Sequence, residues 1–466
     1  MDGVCKKQVP KKQFSSAHTQ VLKGLAVLML LVHHGYSGLK AVTPLGHLVL
    51  ANSVSLAKLC VAIFTVLSGY GMFCSFQSKT KNASFREATI FIVSHLVKLF
   101  LIFWIAASLQ IGIVSLIKGN FFEIYGRYPI YYVLLDCMGV SYITGTPKFV
   151  NAWWYMTAIA IYYLLFPVLF LLIRRLKKRN YLIVAVSAIG MLFLRDENSI
   201  LIYGIFFYYG MVFAECDLFQ RLLNAGMPGK RFFRAAGWLA VFVLLCIARQ
   251  LFLYGTGADY YVDWLLTVVL TLFVCECMPY GVSGIIGKLL GVLGAYSFEI
   301  YLTHSVFIRY LLKLVYKPAV WYLIFPKLLV MSLLAAIVVR LLEKLLRINQ
   351  LSRICKSEKG ARIAGILLGL GLFVLPAPQL IADQGLGGWA FQKPEVIMQK
   401  DNYHVMRYEK LPIFWKLADK TYTSDDNDIV YFIDGIVYAH KTGTTTVSVS
   451  LPSGRTLSCT IIVQEE

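Results

Sequence analysis

Charge is what this sequence has least of. Asp, Glu, Lys and Arg make up 15% of its 466 residues, where a soluble chain of this size carries about 25%. Acidic side chains are the scarcer sign, 25 against 45 Lys and Arg, for a formal net charge of +20. No cleavable leader is expected either: the first twenty residues are polar and basic, and the apolar run behind them ends in His33-His34, not in a small-residue cleavage site. The ten cysteines are scattered, most of them in or beside apolar runs where Cys behaves as a small apolar residue. Cys275 and Cys277 are two apart and would point to different faces of a helix, so no metal site is expected. These absences exclude a disordered chain, a coiled coil, a small disulfide scaffold and a collagen-like repeat.

What is abundant is hydrocarbon, at 58% hydrophobic residues. A spanning helix needs about 20 largely apolar residues to cross about 30 Å. Stretches of that kind lie near 21–38, 54–76, 89–117, 152–173, 181–195, 199–216, 235–254, 263–279, 289–312, 321–341 and 363–382. The fold class expected is an all-α polytopic membrane bundle, a ten-span core plus an eleventh helix. A twelfth apolar stretch, 130–143, is short and holds Asp136. If it spanned, RRLKKR at 174–179 would fall outside the cell, against the positive-inside rule. Residues 118–151 therefore read as one outer loop with an interfacial or re-entrant helix. In that topology 23 of the 37 basic residues ahead of residue 384 line the cytoplasmic face. The net charge is then an orientation signal and not a nucleic-acid footprint. It puts the amino terminus in the cytoplasm and the carboxyl terminus outside the cell membrane.

Composition also marks the domains. Residues 1–20 form a cytoplasmic basic terminus, 21–345 the ten-span domain, 346–362 a basic cytoplasmic linker, 363–382 the eleventh helix and 383–394 a second linker. Residues 395–466 read as a small all-β sandwich: TTTVSVSL (444–451) and TLSCTIIV (456–463) alternate around a Pro452-Ser453-Gly454 turn. DIVYFIDGIVYAH (428–440) reads as two strands broken at Asp434-Gly435. With Asp434-Gly435 and Gly443-Thr444 as its most specific part, this tail resembles the group 2 bacterial immunoglobulin-like domain. The resemblance implies a surface module, either a spacer or a glycan binder.

Ionisable groups inside spans are costly, and each is a functional-site hypothesis by default. In the first span Lys23 and His34 are eleven residues apart, three turns plus about 20°, so they share one face with Lys23 inward and His34 outward. A neutral imidazole is a ready general base near pH 7. Ser68-Gly69 in FTVLSGYGMF offers a close backbone approach, to another helix or to a ligand. In GAYSFEIYLTHSVF, Ser297 and His304 are seven apart with Tyr301 near the same line, a polar stripe, while Glu299 points toward a basic residue of a neighbouring helix.

These motifs together resemble the acyltransferase 3 family of polytopic membrane acyltransferases over about 20–345. LKGLA with Lys23 and His34 stands where the family's first helix carries an arginine and a histidine. FTVLSGY stands at its second-helix motif, and WWYMTAIAIYYLLFP, with Trp153 or Trp154, Tyr163 and Pro167, at its fourth. Ser297 through His304 stands at its late "S.siYLiH". The resemblance implies an O-acyltransferase that takes an acyl group, typically acetyl, from cytoplasmic acyl-CoA to a hydroxyl of an extracytoplasmic carbohydrate, with no permanently bound cofactor. His34 is then the catalytic histidine, with Ser297, Tyr301 and His304 as helpers. Basic residues toward the inner side, Lys23, His95, Lys98 and Arg340, bind the donor beside Ser68, Gly69, Trp153 and Trp154. Lys23 is a point charge where the family has a bidentate arginine, and His95 and Lys98 stand where it has arginines early in the third helix. The partners implied are acyl-CoA, the glycan acceptor and membrane lipid. Transfer is either direct or completed by a separate extracellular transferase. The competing class is non-enzymatic: a proton-coupled transporter built on the intramembrane histidines, or a surface glycan-anchoring protein.

Overall fold

The computed structural model describes residues 14–37, 44–80, 84–118, 122–125, 128–193, 199–225, 230–254, 256, 260–278, 284–318, 320–378, 390–391, 393–406, 408–410, 421–433, 436–450 and 456–465. Helices occupy all eleven apolar stretches, and strands follow from Ala390 to Gln464. Among the described residues, five helices are long and apolar enough to cross a bilayer, or up to seven if each of two bent pairs is one span. The second pair lies largely in the stretch 289–312 that the sequence reads as a single span, while the first adds a short helix beyond the span read at 199–216. Ser199–Glu215 turns by 62° into Leu218–Ala225, and Gly284–Ala295 turns by 73° into Ser297–Arg309. The chain divides into two compact units, residues 1–89 with 164–341, and residues 90–163 with 342–466. Composition places its boundary at 345, but the grouping of helices splits the helical region itself.

In the first unit, glycines set how closely the helices approach. Ser16–Tyr36 crosses Gly284–Ala295 where a Cβ on Gly24 would strike the Leu290 carbonyl oxygen and one on Gly294 the Gln20 carbonyl oxygen. Leu59–Lys79 crosses Ser199–Glu215 in the same reciprocal way, Gly69 against the Phe207 carbonyl and Gly210 against that of Val66. Lipid gives apolar side chains no preference for one helix over another, so small residues that admit a backbone select the partner. The carboxyl-terminal end of Ser16–Tyr36 is tied by Tyr316 Oη–H to the Gly35 carbonyl at 3.0 Å, and by Tyr36 Oη–H to the Trp321 carbonyl at 2.9 Å. Val27, Leu31, Ile300, Val315, Ile324, Leu328 and Ala336 form the apolar core around that end.

In the second unit, residues 128–153 are not an open loop. Pro129–Cys137 and Ser141–Thr144 are short helices, and the buried Asp136 carboxylate accepts from Tyr125 Oη at 2.9 Å and from the Phe149 amide at 2.7 Å. The strands are β1 (Ala390–Phe391), β2 (Glu395–Gln399), β3 (Tyr403–Val405), β4 (Tyr408–Lys410), β5 (Thr421–Ser424), β6 (Val430–Ile433), β7 (Ile436–Ala439), β8 (Gly443–Ser450) and β9 (Thr456–Gln464). One sheet runs β2-β9-β8-β5 and another β3-β7-β6, with β1 and β4 paired beside them. β2 lies parallel to β9, while the β8–β9 hairpin is antiparallel. Alternation decides the inner faces: Val447, Val449, Cys459, Ile461 and Val463 from one sheet meet Val430 and Val437 from the other in a single core. β6 and β7 pair with Ile433 opposite Ile436. The Asp434-Gly435 and Pro452-Ser453-Gly454 turns themselves lie outside the described residues.

Candidate active site

The first helix begins at Ser15, where Ser15 and His18 cap one another across the first turn. His18 Nε2–H donates to the Met278 carbonyl at 2.6 Å, which leaves Nδ1 to accept from Ser15. One turn further on, Lys23 is half-buried and has no ion-pair or hydrogen-bond partner among the described residues. Eleven residues later the helix delivers His33 and His34.

His34 sits between two other imidazoles. Its ring centroid is 4.9 Å from that of His33 and 5.0 Å from that of His304. The fixed partners of those two neighbours set their tautomers. A carbonyl can only accept, so His33 carries its proton on Nδ1, which faces the Val54 carbonyl at 2.9 Å. His304 does likewise toward the Tyr301 carbonyl at 2.8 Å, and its Nε2 accepts from Ser305 Oγ at 3.1 Å. His304 is fully buried and its hydrogen bonds are spent. His34 is half-buried, and neither of its ring nitrogens has a hydrogen-bond partner among the described residues. Of the three rings it is the one with nitrogens available to a substrate, which is the geometry general-base or nucleophilic chemistry requires.

The late motif is brought to this place by the bend at Tyr296. Ser297 and Tyr301 are buried on the same short helix as His304, with the Tyr301 and His304 rings 6.3 Å apart. Glu299 pairs with Arg340: Nε donates to Oε1 at 2.7 Å, while Nη2 reaches the Ala295 carbonyl at 2.5 Å. The guanidinium also lies 4.5 Å from the centre of the Tyr296 ring. Arg340 thus clamps the bend from the neighbouring helix Trp321–Leu345. Gly69 lies at the crossing with Phe207, beside a half-buried Ser68.

His95, Lys98, Trp153 and Trp154 belong to the second unit. His95 Nδ1–H bonds back to the Phe91 carbonyl at 2.7 Å with its ring 4.2 Å from that of Phe91, and Lys98 is exposed. Trp153 is buried edge-on against Phe103 at 4.9 Å, and Trp154 packs 6.2 Å from Tyr142.

Two charged groups in the first unit were not singled out from the sequence. Glu276 takes Arg234 at 3.1 Å and Arg231 at 3.6 Å. Arg249 Nε donates to Asp263 Oδ1 at 2.8 Å, with both side chains wholly buried. The signal available was the one applied to Lys23, an ionisable residue inside an apolar run.

No curated protein and no solved structure matches the chain. The family model described as "Acyltransferase domain" matches residues 20–341, more than two thirds of the chain and the whole of the segment that carries His34 and His304. By that match this membrane protein belongs to the acyltransferase 3 family.

Proposed function

We propose that the chain is an integral-membrane O-acyltransferase that moves an acyl group, acetyl in the simplest case, from cytoplasmic acyl-CoA to a hydroxyl of an extracytoplasmic carbohydrate. The observation that carries this reading is His34: an imidazole with neither nitrogen hydrogen-bonded among the described residues, set against a buried histidine inside the family segment. In the step proposed, His34 accepts the proton of the acceptor hydroxyl as its oxygen attacks the thioester carbonyl. The tetrahedral intermediate collapses with cleavage of the carbon–sulfur bond, and the imidazolium returns its proton to the departing CoA thiolate. Ser297 and Tyr301 are candidates for hydrogen bonding to the oxyanion. Lys23, half-buried and without a partner among the described residues, is the first candidate for the CoA phosphates.

The eleven-span topology, cytoplasmic at the start and extracellular at the end, belongs to the same proposal. It brings a donor made inside to an acceptor lying outside. The β tail, as an immunoglobulin-like module, would then stand on the acceptor side.

The test uses purified full-length protein in liposomes with labelled acetyl-CoA and a surface-glycan acceptor. Wild type should consume the thioester only when the acceptor is added, and His34→Ala should lose at least a thousandfold in kcat. Full activity in His34→Ala, or acceptor-independent proton uptake in its place, would overturn the reading.

A further inference from the structure

The helix Arg231–Phe252 reverses the usual sense of burial. Its Leu, Val and Phe side chains are exposed or half-exposed, as lipid-facing residues are, and Arg249 is its only buried residue. A cation taken out of both water and lipid needs a specific destination, and this one has two. Nε donates to Asp263 Oδ1 at 2.8 Å. Nη1 and Nη2 reach Ser55 Oγ at 3.1 Å and the Ser55 carbonyl at 3.3 Å.

Ser55 is in the last turn of Pro44–Ala57, just before the irregularity at Lys58 from which Leu59–Lys79 runs on, and its carbonyl also accepts from the Lys58 amide at 3.2 Å. The residue before it, Val54, supplies the carbonyl that holds His33 Nδ1 at 2.9 Å. Two side chains, Arg249 from one neighbour and His33 from another, therefore bond to adjacent residues of this turn. His33 in turn meets the His34 ring edge-on, at 70° between planes.

We propose that Arg249, held by Asp263, is a positioning residue for the histidine site. It fixes the Val54–Ser55 turn, the turn fixes the plane and tautomer of His33, and His33 sets the orientation of His34. The link to catalysis rests on the acyltransferase reading above, while the link to His33 does not.

A purely structural pair and a positioning pair respond differently to apolar replacement. Exchanging a buried ion pair for apolar residues of similar volume is commonly neutral or stabilising. The variant is the double substitution Arg249→Met with Asp263→Leu in the full-length protein. Two readouts are taken: the rate at which diethylpyrocarbonate modifies His33 and His34, resolved by peptide mass spectrometry, and kcat and KM for the acyl donor. Positioning predicts that His33 modification rises at least threefold, and that kcat falls at least tenfold with donor KM within twofold of wild type. Unchanged His33 reactivity overturns the proposal, whatever the activity. A rise in reactivity with no acyl transfer by wild type would instead remove the acyltransferase reading and leave the positioning intact. If the double variant does not fold, Arg249→Lys serves: it keeps the charge beside Asp263 but lacks the fork that reaches Ser55. It should raise His33 reactivity as well, and wild-type reactivity there overturns the proposal equally.

Discussion

Gly69 and Gly71 lie two residues apart on the same helix, and alanine should have opposite effects at them. A Cβ at Gly69 would enter the carbonyl oxygen of Phe207, with the Met211 amide nitrogen 3.2 Å away. Both are backbone atoms of a regular helix, so neither can rotate aside. Relief requires the two helices to separate, and a gap of even 0.5–1 Å forfeits about a quarter to a half of each dispersion contact along the crossing. Overpacking of this kind costs about 1–3 kcal/mol, and a backbone obstacle belongs at the upper end. Alanine returns about 1 kcal/mol of helix propensity, which leaves a net loss of about 2 kcal/mol. A Cβ at Gly71 meets nothing within 4 Å, so Gly71→Ala should keep the propensity gain of about 1 kcal/mol. The assay is reversible unfolding of detergent-solubilised protein, read by intrinsic fluorescence, for both variants alongside acyl-transfer rates. If Gly69→Ala is as stable as Gly71→Ala but inactive, the glycine exists for a ligand and the packing account is wrong.

Arg340→Ala leaves the Glu299 carboxylate, 3% exposed, without its cation. Because the arginine side chain is itself 28% exposed, the expected loss is about 2–3 kcal/mol, below the full value for a buried pair; the same unfolding assay measures it, and Arg340→Lys should recover part. Lys23→Ala should raise the acyl-CoA KM at least tenfold with kcat little changed, whereas Lys23→Arg, which supplies a phosphate-matched fork, should not raise it; steady-state kinetics with the donor varied decides. Cys459 is buried in the β core, and burial beside Glu395 pushes its thiol from 9.0 up to about 11. Its folded form favours the protonated thiol, so this contribution to stability is intact below pH 9 and is lost as pH rises from 9 toward 11, a loss that Cys459→Val should abolish in the tail's thermal unfolding. The same burial makes Cys459 a poor topology reporter: an impermeant thiol reagent on whole cells should label the exposed position in Lys441→Cys at once, and that in Lys359→Cys only after permeabilisation.

The helices were legible because nothing but a helix satisfies its own backbone over twenty apolar residues. The β8–β9 hairpin was legible from strict alternation, which also places Cys459 inward between Ser458 and Thr460. The face shared by Ser297 and His304 followed from a period of 3.6. Two kinds of information were out of reach. Apolar runs do not say which helices pair, so the reciprocal crossings at Gly24 with Gly294 and at Gly69 with Gly210 could not be read. The break at Tyr296 was equally hidden, because no Pro marks it and the clamp on it, Arg340, comes from 41 residues beyond Glu299. Arg249 and Asp263 were visible as intramembrane charges, but Ser55, the residue that gives the pair a direction, is 194 residues away.

The scarcity of charge is what makes each of these contacts informative. In water, burial of apolar area would choose the neighbours of every helix; in lipid it chooses none. The choice then falls on groups that cannot be left alone in hydrocarbon: a guanidinium, a carboxylate, a carbonyl at a break or bend of a helix. Arg249 satisfies Asp263 and Ser55 together, and Arg340 satisfies Glu299 and the Ala295 carbonyl together. Each cation so joins helices that apolar packing alone would let slide. Both joints act on the same place, one on the turn that holds His33 and the other on the bend that presents His304. His34 lies between those two rings, its nitrogens without a hydrogen-bond partner among the described residues, and these two cations bear on the elements that carry its neighbours.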